Sequence, residues 1–322
     1  MKLDVLFINP ASAKEVYQVL ANEYAGIGTP YWALLLAQSC RSKGFQVAIL
    51  DMLAEKLEIR EAVERIEKLK PRLICFTVYG ENVNSGTTQM SGAVKLACKI
   101  KESGLDIPIA FVGSYVQALP YKVLNDEKNI DFIFTNEGVY SLWNVLKLDN
   151  IHDKNELIHI KGLGLLVNGK PLLTPPEKTV PQDRMDIDLP GYAWDLLPYR
   201  EKPLDLYRSP MWHGEYDQKK RTPYAALYTS LGCVFQCEFC MINILNRDDT
   251  DEIGVAGNYN KMRFWSPEFI ITEFDKLAEM GVETIRIADE MFLLNPKYYI
   301  PLCKLLSEKK YSTKVLAILG NV

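Results

Sequence analysis

Three cysteines stand within eight residues of one another in Cys233-Val-Phe-Gln-Cys237-Glu-Phe-Cys240, and no two of the other four cysteines are so close. Thiolates are soft ligands suited to an iron–sulfur cluster or to zinc, and one loop carrying three of them can wrap a metal centre. A structural zinc site wants four protein ligands, usually from paired cysteines, and there is no second pair here. Three ligands on a four-iron cluster leave one iron open to a substrate or cofactor, unlike the four-cysteine ligation of electron carriers. A zinc knuckle and plainly buried thiols are the alternatives. Cys40, Cys75, Cys98 and Cys303 lie singly in apolar surroundings, as ordinary buried thiols do in a reducing compartment.

The elements that must position this loop read as a second βα pattern beginning at Tyr224. A strand over 225–229 runs into the cysteines, and a helix is expected to start near the third. Ser266-Pro-Glu268 supplies an N-cap, a proline at the first helical position and an early acid, before apolar residues at helical spacing and Gly281 as the stop. A strand over 284–288, a helix around 297–308 and a strand over 313–318 follow.

Upstream, short apolar runs alternate with amphipathic ones from Leu3 to about Leu148, the signature of βα units around a parallel sheet. Strands are expected at 4–8, 46–50, 73–78, 109–113 and 132–134. Helices fall at 31–42, 58–69, 89–103, 121–125 and 140–147, with Gly44 and Gly104 placed as C-terminal caps. Such a sheet binds ligands outside the carboxyl ends of its strands, so the loops after Ile8, Val78, Gly113 and Phe134 form the candidate ligand edge. A hairpin over 162–173 turns at Asn168-Gly169. A proline-punctuated, aromatic-rich stretch then reads as a connector that packs locally. The expected organisation is α/β: a doubly wound, Rossmann-like domain over 1–150, hairpin and connector over 151–222, and a further (β/α) unit over 223–322.

With 322 residues, 48% hydrophobic and 24% charged, the composition suits two globular cores. A net charge of -4 leaves no global basic surface for a polyanion, which argues against nucleic acid as partner. No run of about eighteen apolar residues marks a membrane span. The expected location is the cytoplasm.

The segment Thr229-Ser-Leu-Gly-Cys-Val-Phe-Gln-Cys-Glu-Phe-Cys240, with spacing C-x3-C-x2-C, resembles the cluster loop of radical S-adenosylmethionine (SAM) enzymes. Met262-Arg-Phe-Trp-Ser-Pro-Glu268 and Ile285-Arg-Ile-Ala-Asp-Glu-Met-Phe292 are similar to the segments that follow it in the subfamily carrying an N-terminal cobalamin domain. The first domain resembles the same subfamily at Gly28-Thr-Pro-Tyr-Trp-Ala-Leu-Leu-Leu-Ala37, Gly44-Phe-Gln-Val-Ala-Ile-Leu-Asp51, Ile107-Pro-Ile-Ala-Phe-Val-Gly-Ser-Tyr115 and Asn136-Glu-Gly138.

This resemblance implies a [4Fe–4S] cluster on Cys233, Cys237 and Cys240, with SAM chelating the open iron. Phe239 would lie beside its adenine. Asp289 and Glu290, at the carboxyl end of a strand, would meet its cationic amino or sulfonium end; a solvated acidic turn is the alternative for that pair. Thr77, Tyr79, Glu81, Ser114, Tyr115 and Glu137 would line the corrinoid, ordinary loop chemistry being the alternative for each. Two departures stand out. The D-x-H-x-x-G loop that gives cobalt a histidine is absent, with His152, His159 and His213 away from the strand ends, and Gly113-Ser114-Tyr115 replaces a second glycine and a histidine.

The implied activity is radical methyl transfer to an unactivated carbon of a small molecule. Cleavage of SAM would yield a 5′-deoxyadenosyl radical, methylcobalamin would supply the methyl group, and flavodoxin or ferredoxin would donate electrons. A radical cyclase or rearrangement catalyst, and a non-catalytic corrinoid-binding remnant, are the alternatives. At about thirty residues per βα unit, 224–322 holds about three units. The expectation is therefore a truncated chain whose barrel needs a further segment or a partner.

Overall fold

The computed structural model describes residues 2–12, 18, 26–80, 85–208, 223–235, 237–242 and 261–317. Its first sheet runs in the order β2-β1-β3-β4-β5-β6-β7. Strands β1 (Val5–Asn9), β2 (Val47–Asp51), β3 (Leu73–Val78), β4 (Ile109–Gly113) and β5 (Phe132–Phe134) are parallel. The chain order reverses between β1 and β3, the switch point where open α/β sheets bind ligands. The hairpin expected after this domain joins the same sheet: β6 (Leu163–Val167) pairs antiparallel with β5, and β7 (Lys170–Leu173) with β6. Asn168 and Gly169 turn between them at φ 50° and 76°, as a type I′ turn requires.

Both faces of this sheet are covered, which is why its strands read as continuous apolar runs. Val5 and Phe7 point into one core with α1 (Tyr31–Ser42), while Leu6 and Ile8 point into the other with α2 (Ile59–Leu69) and α3 (Thr87–Glu102). Helix α2 begins in a reciprocal capping box between Glu58 and Glu61 and buries Ala62 and Ile66, one turn apart. The helix-stop glycines Gly44 and Gly104 take φ 89° and 79°. Short helices α4 (Ser114–Ala118) and α5 (Pro120–Asp126) follow β4, and α6 (Val139–Leu146) follows β5.

In the second unit β8 (Tyr224–Leu227), β11 (Thr284–Ile287) and β12 (Lys314–Ala317) form a parallel sheet in the order β12-β11-β8. Between them β9 (Ser230–Gly232) and β10 (Met262–Phe264) pair antiparallel. Helix α7 (Pro267–Glu279) starts where expected, with Ser266 Oγ accepting from the Phe269 N–H at 3.2 Å, and α8 (Pro296–Glu308) precedes β12. The helix expected near the third cysteine falls on residues outside those described. Among the described residues no helix is long and apolar enough to cross a membrane.

The two units share one continuous core, because the face carrying α1 also packs Tyr224, Trp265, Ile270 and Phe274. Connector residues fill the seam: Tyr192 and Trp194 stack at 4.9 Å, Trp194 donates to the buried Glu273 at 2.9 Å, and Trp265 donates to the Leu189 carbonyl at 2.7 Å. The Thr29 hydroxyl donates to the Ala226 carbonyl and accepts from its N–H, and the Tyr192 hydroxyl does the same at Tyr228. Those groups lie on the side of β8 that faces away from β11.

Candidate functional site

At the ligand edge of the first sheet, strands β3 and β4 approach so closely that a Cβ on Gly113 would come within 2.1 Å of the Val78 carbonyl oxygen. Gly113 holds φ 153°, and this backbone contact explains why a glycine ends β4. Thr77 is buried and donates to the Ile8 carbonyl at 3.2 Å, tying β3 to β1. Tyr79 stacks on Trp32 with ring centroids 5.0 Å apart, and its hydroxyl accepts from Gln117 Nε2 at 3.1 Å. Burial pushes that hydroxyl above its usual range, against the Gln117 hydrogen bond, and the nearby Glu137 charge pushes it further. Ser114 is buried against Gly86, where an added Cβ would lie 1.8 Å from its Oγ. Tyr115 packs, half-buried, against the core on the face of α2 and α3. Glu81 lies outside the described residues.

Glu137 has protein partners of its own. Its Oε1 accepts from the Val180 N–H at 2.5 Å and from Arg263 at 3.2 Å, and its Oε2 accepts from Arg263 at 2.7 Å. The same guanidinium donates to the Val180 carbonyl at 2.7 Å. Both carboxylate oxygens are thus engaged by protein donors, and the residue joins the β5 loop to the connector and to β10.

The cysteine loop leaves the second sheet through a rigid doorway. Thr229 is held on three sides: its N–H and hydroxyl each donate to Asp289 at 2.6 Å, and its carbonyl accepts from the Tyr298 hydroxyl at 2.8 Å. The Ser230 hydroxyl also donates to Asp289, at 2.7 Å. Gly232 then turns at φ 92°, where a Cβ would lie 2.2 Å from the Lys261 carbonyl oxygen, and delivers the chain to Cys233. Cys233 is buried, Cys240 is half-buried and Cys237 is exposed, while the Cys240 N–H donates to the Cys237 carbonyl at 3.0 Å. Phe239 is 76% exposed, open to a stacking partner.

Asp289, expected near SAM, accepts from Thr229 and Ser230 and so holds the entrance of the loop. Burial raises its pKa, and the hydrogen bonds from Thr229 and Ser230 oppose that rise. Its neighbour Glu290 is half-buried. Its pKa is raised by burial and then by the Asp289 charge, with Arg286 acting the other way. The Cys240 thiol is raised by burial, with a backbone hydrogen bond at Ile242 working against it, and then by the charges of Glu290, Cys233 and Cys237. Among the described residues no group of three His, Cys, Asp or Glu side chains is gathered closely enough to hold a metal ion. The donor set itself, three soft thiols on one anchored loop, fits a four-iron cluster in kind.

Arg263, Tyr298 and Gln117 escape a reading of motifs. Arg263 and Tyr298 gain their meaning only from partners more than sixty residues away. Gln117 carries one local signal, a polar side chain four positions past the end of a strand whose carboxyl end faces the ligand edge. It is 3% exposed, its Nε2 also donates to the Asn136 carbonyl, and its Oε1 has no donor among the described residues. An orphaned polar atom at that edge is a feature a polar ligand would complete, so the residues present fit a corrinoid with peripheral amides.

A family model, the B12 binding domain, matches residues 17–145. This part of the chain resembles a B12-binding domain. Comparison with curated proteins gives an uncharacterised methyltransferase of Pyrococcus horikoshii, 25% identical over 296 residues that make up 92% of this chain and 55% of the relative. The chain thus spans about half the length of the curated relative it matches. Among solved structures it superposes on TsrM, a radical SAM methyltransferase of Kitasatospora setae, with cobalamin and a [4Fe–4S] cluster bound. The TM-score is 0.62 at 16% identity over 96% of this chain and 53% of TsrM. OxsB, a cobalamin-dependent SAM radical enzyme, superposes with a TM-score of 0.65 at 16% identity over 98% of this chain and 38% of OxsB. At these identities the likeness is one of fold, and it runs through both units of the chain.

Proposed function

We propose that this chain is the cobalamin- and cluster-binding part of a radical SAM methyltransferase acting on an unactivated carbon of a small molecule. The observation that carries this reading is the three-cysteine loop, anchored at Thr229 by Asp289 and Tyr298, in a chain whose residues 17–145 match the B12 binding domain model. When bound, the cluster supplies the electron that cleaves SAM and the corrinoid supplies the methyl group.

The protein's part is positioning. Cys233, Cys237 and Cys240 would hold three irons, and Glu290 would pair with the SAM ammonium. Phe239 offers an exposed ring for the adenine. Asp289 and Tyr298 fix the start of the loop that carries these ligands. Thr77 and Gly113 hold β1, β3 and β4 close enough to form an edge on which a flat macrocycle could lie. An electron donor of the flavodoxin or ferredoxin kind and a small-molecule substrate complete the set of partners.

Anaerobic reconstitution with iron, sulfide and hydroxocobalamin tests the reading, beside a variant with all three cysteines changed to alanine. Four irons and one corrinoid per chain, with only the iron lost in the variant, support it. A folded protein that takes up neither would sink it and favour a non-catalytic remnant.

A further inference from the structure

Gln117 presents a hydrogen-bonding group that the protein leaves incomplete. Its side chain lies between the loops after β3 and β5: Nε2 donates to the Tyr79 hydroxyl at 3.1 Å and to the Asn136 carbonyl. The Asn136 carbonyl can only accept, so the amide nitrogen must face it, and the orientation of the group is decided by chemistry. The oxygen then faces elsewhere, on a residue 3% exposed, with no donor among the described residues. Buried acceptors of this kind are unfavourable unless something donates to them.

The location narrows the donor. Gln117 sits four positions past Gly113, and Tyr79 and Asn136 follow the ends of β3 and β5, so the orphaned oxygen belongs to the carboxyl edge of the parallel sheet. A neutral acceptor asks for an N–H or O–H and gives nothing to a carboxylate. Glu137, the residue after Asn136, is already paired with Arg263.

Resting on the B12-binding reading above, we infer that Gln117 is a specificity-determining corrinoid contact. Its Oε1 accepts from a primary amide on the corrin periphery and so selects the amidated macrocycle over one bearing a carboxylate at that position.

The test is equilibrium binding followed by the corrinoid absorption spectrum, independent of turnover. Hydroxocobalamin is titrated beside its monocarboxylic derivatives, in which one peripheral amide at a time is hydrolysed, against the full chain and against Gln117→Met. The wild-type protein should bind one derivative about tenfold more weakly than hydroxocobalamin. In Gln117→Met that ratio should fall to about one, whatever the overall affinity. Equal binding of every derivative by the wild type, or an unchanged ratio in the variant, would overturn the assignment. The wild-type series alone decides if the variant does not fold. A wild-type chain that binds no hydroxocobalamin would instead overturn the parent reading.

Discussion

Removing the Glu137 carboxylate should cost the protein far more than any surface charge. The pair it forms with Arg263 is buried, with side chains 1% and 9% exposed, and is held by two hydrogen bonds at 2.7 Å and 3.2 Å. Glu137→Ala leaves a guanidinium inside the protein without its counter-charge and strips the Val180 N–H of its acceptor. Breaking a buried pair from one side costs about 3–5 kcal/mol, where an exposed pair costs about 0–1 kcal/mol. For a unit of this size the larger figure corresponds to a fall in melting temperature of roughly 10 °C. Because Trp265 lies two residues from Arg263 and is 1% exposed, tryptophan fluorescence during urea unfolding reports on the same seam. Replacing both partners, as Glu137→Met with Arg263→Met, should recover most of the loss, since the desolvation penalty of both charges disappears together. The double-mutant cycle should therefore show a coupling of about 2 kcal/mol or more. A single-variant cost below about 0.5 kcal/mol, or additive effects, would refute the view that this pair ties the first domain to the loop-bearing unit.

Four further outcomes follow from contacts already described or adjacent to them. Asp289→Ala should lower iron incorporation on reconstitution and leave hydroxocobalamin uptake unchanged, because it frees Thr229 and Ser230 at the loop entrance and touches nothing on the first sheet; undiminished iron content would contradict this. Gly113→Ala should destabilise by about 1–3 kcal/mol or more in chemical unfolding, since its Cβ would meet the Val78 carbonyl oxygen at 2.1 Å and neither strand can give way. Asp188 is opposed by burial but held down to a pKa of about 2 by hydrogen bonds from Arg184, Tyr140 and Lys43. A depressed carboxylate stabilises fully above its unfolded value near 3.8 and loses that contribution as pH falls toward 2. The stability gap between wild type and Asp188→Asn should thus narrow by about 2 kcal/mol between neutral pH and pH 2, and a gap independent of pH would count against it. Finally, Glu290→Gln should weaken SAM binding in the reconstituted protein by about tenfold or less, consistent with a single partly exposed ion pair, while iron content stays at the wild-type level.

Local signals carried most of the fold into view. Strand runs such as Leu73–Val78 and Ile109–Gly113 are apolar throughout because both faces of the sheet are covered, and the caps at Ser266, Gly44 and Gly104 act within one turn of their helices. The cysteine loop was visible because three thiols share one short segment. What stayed hidden depends on pairings across long stretches of chain. Nothing near 162–173 says that the hairpin will extend the first sheet on the β5 side, since either partner strand was available to it. Asp289 and Glu290 are adjacent acids with the same formal chemistry, and only the positions of Thr229 and Ser230 separate a structural anchor from its neighbour. Glu137 looked like a ligand-edge residue from its neighbours Asn136 and Gly138. Its partner Arg263 lies 126 positions further along.

The hydroxyls of Thr29 and Tyr192 also settle the direction in which the second sheet can grow. A bare edge strand offers alternating N–H and carbonyl groups that another strand, from the same molecule or a stranger, can read as a template. On β8 and just beyond it those groups at Ala226 and Tyr228 are each occupied by a single hydroxyl acting as donor and acceptor at once. That edge is covered by Thr29 of the first domain and Tyr192 of the connector, so any added strand of the sheet has to enter beside β12. Thr29→Val would reopen half of the seal while preserving the shape of the side chain. The wild-type arrangement therefore makes the presence of the first domain a condition for the second sheet to be extended on one side only.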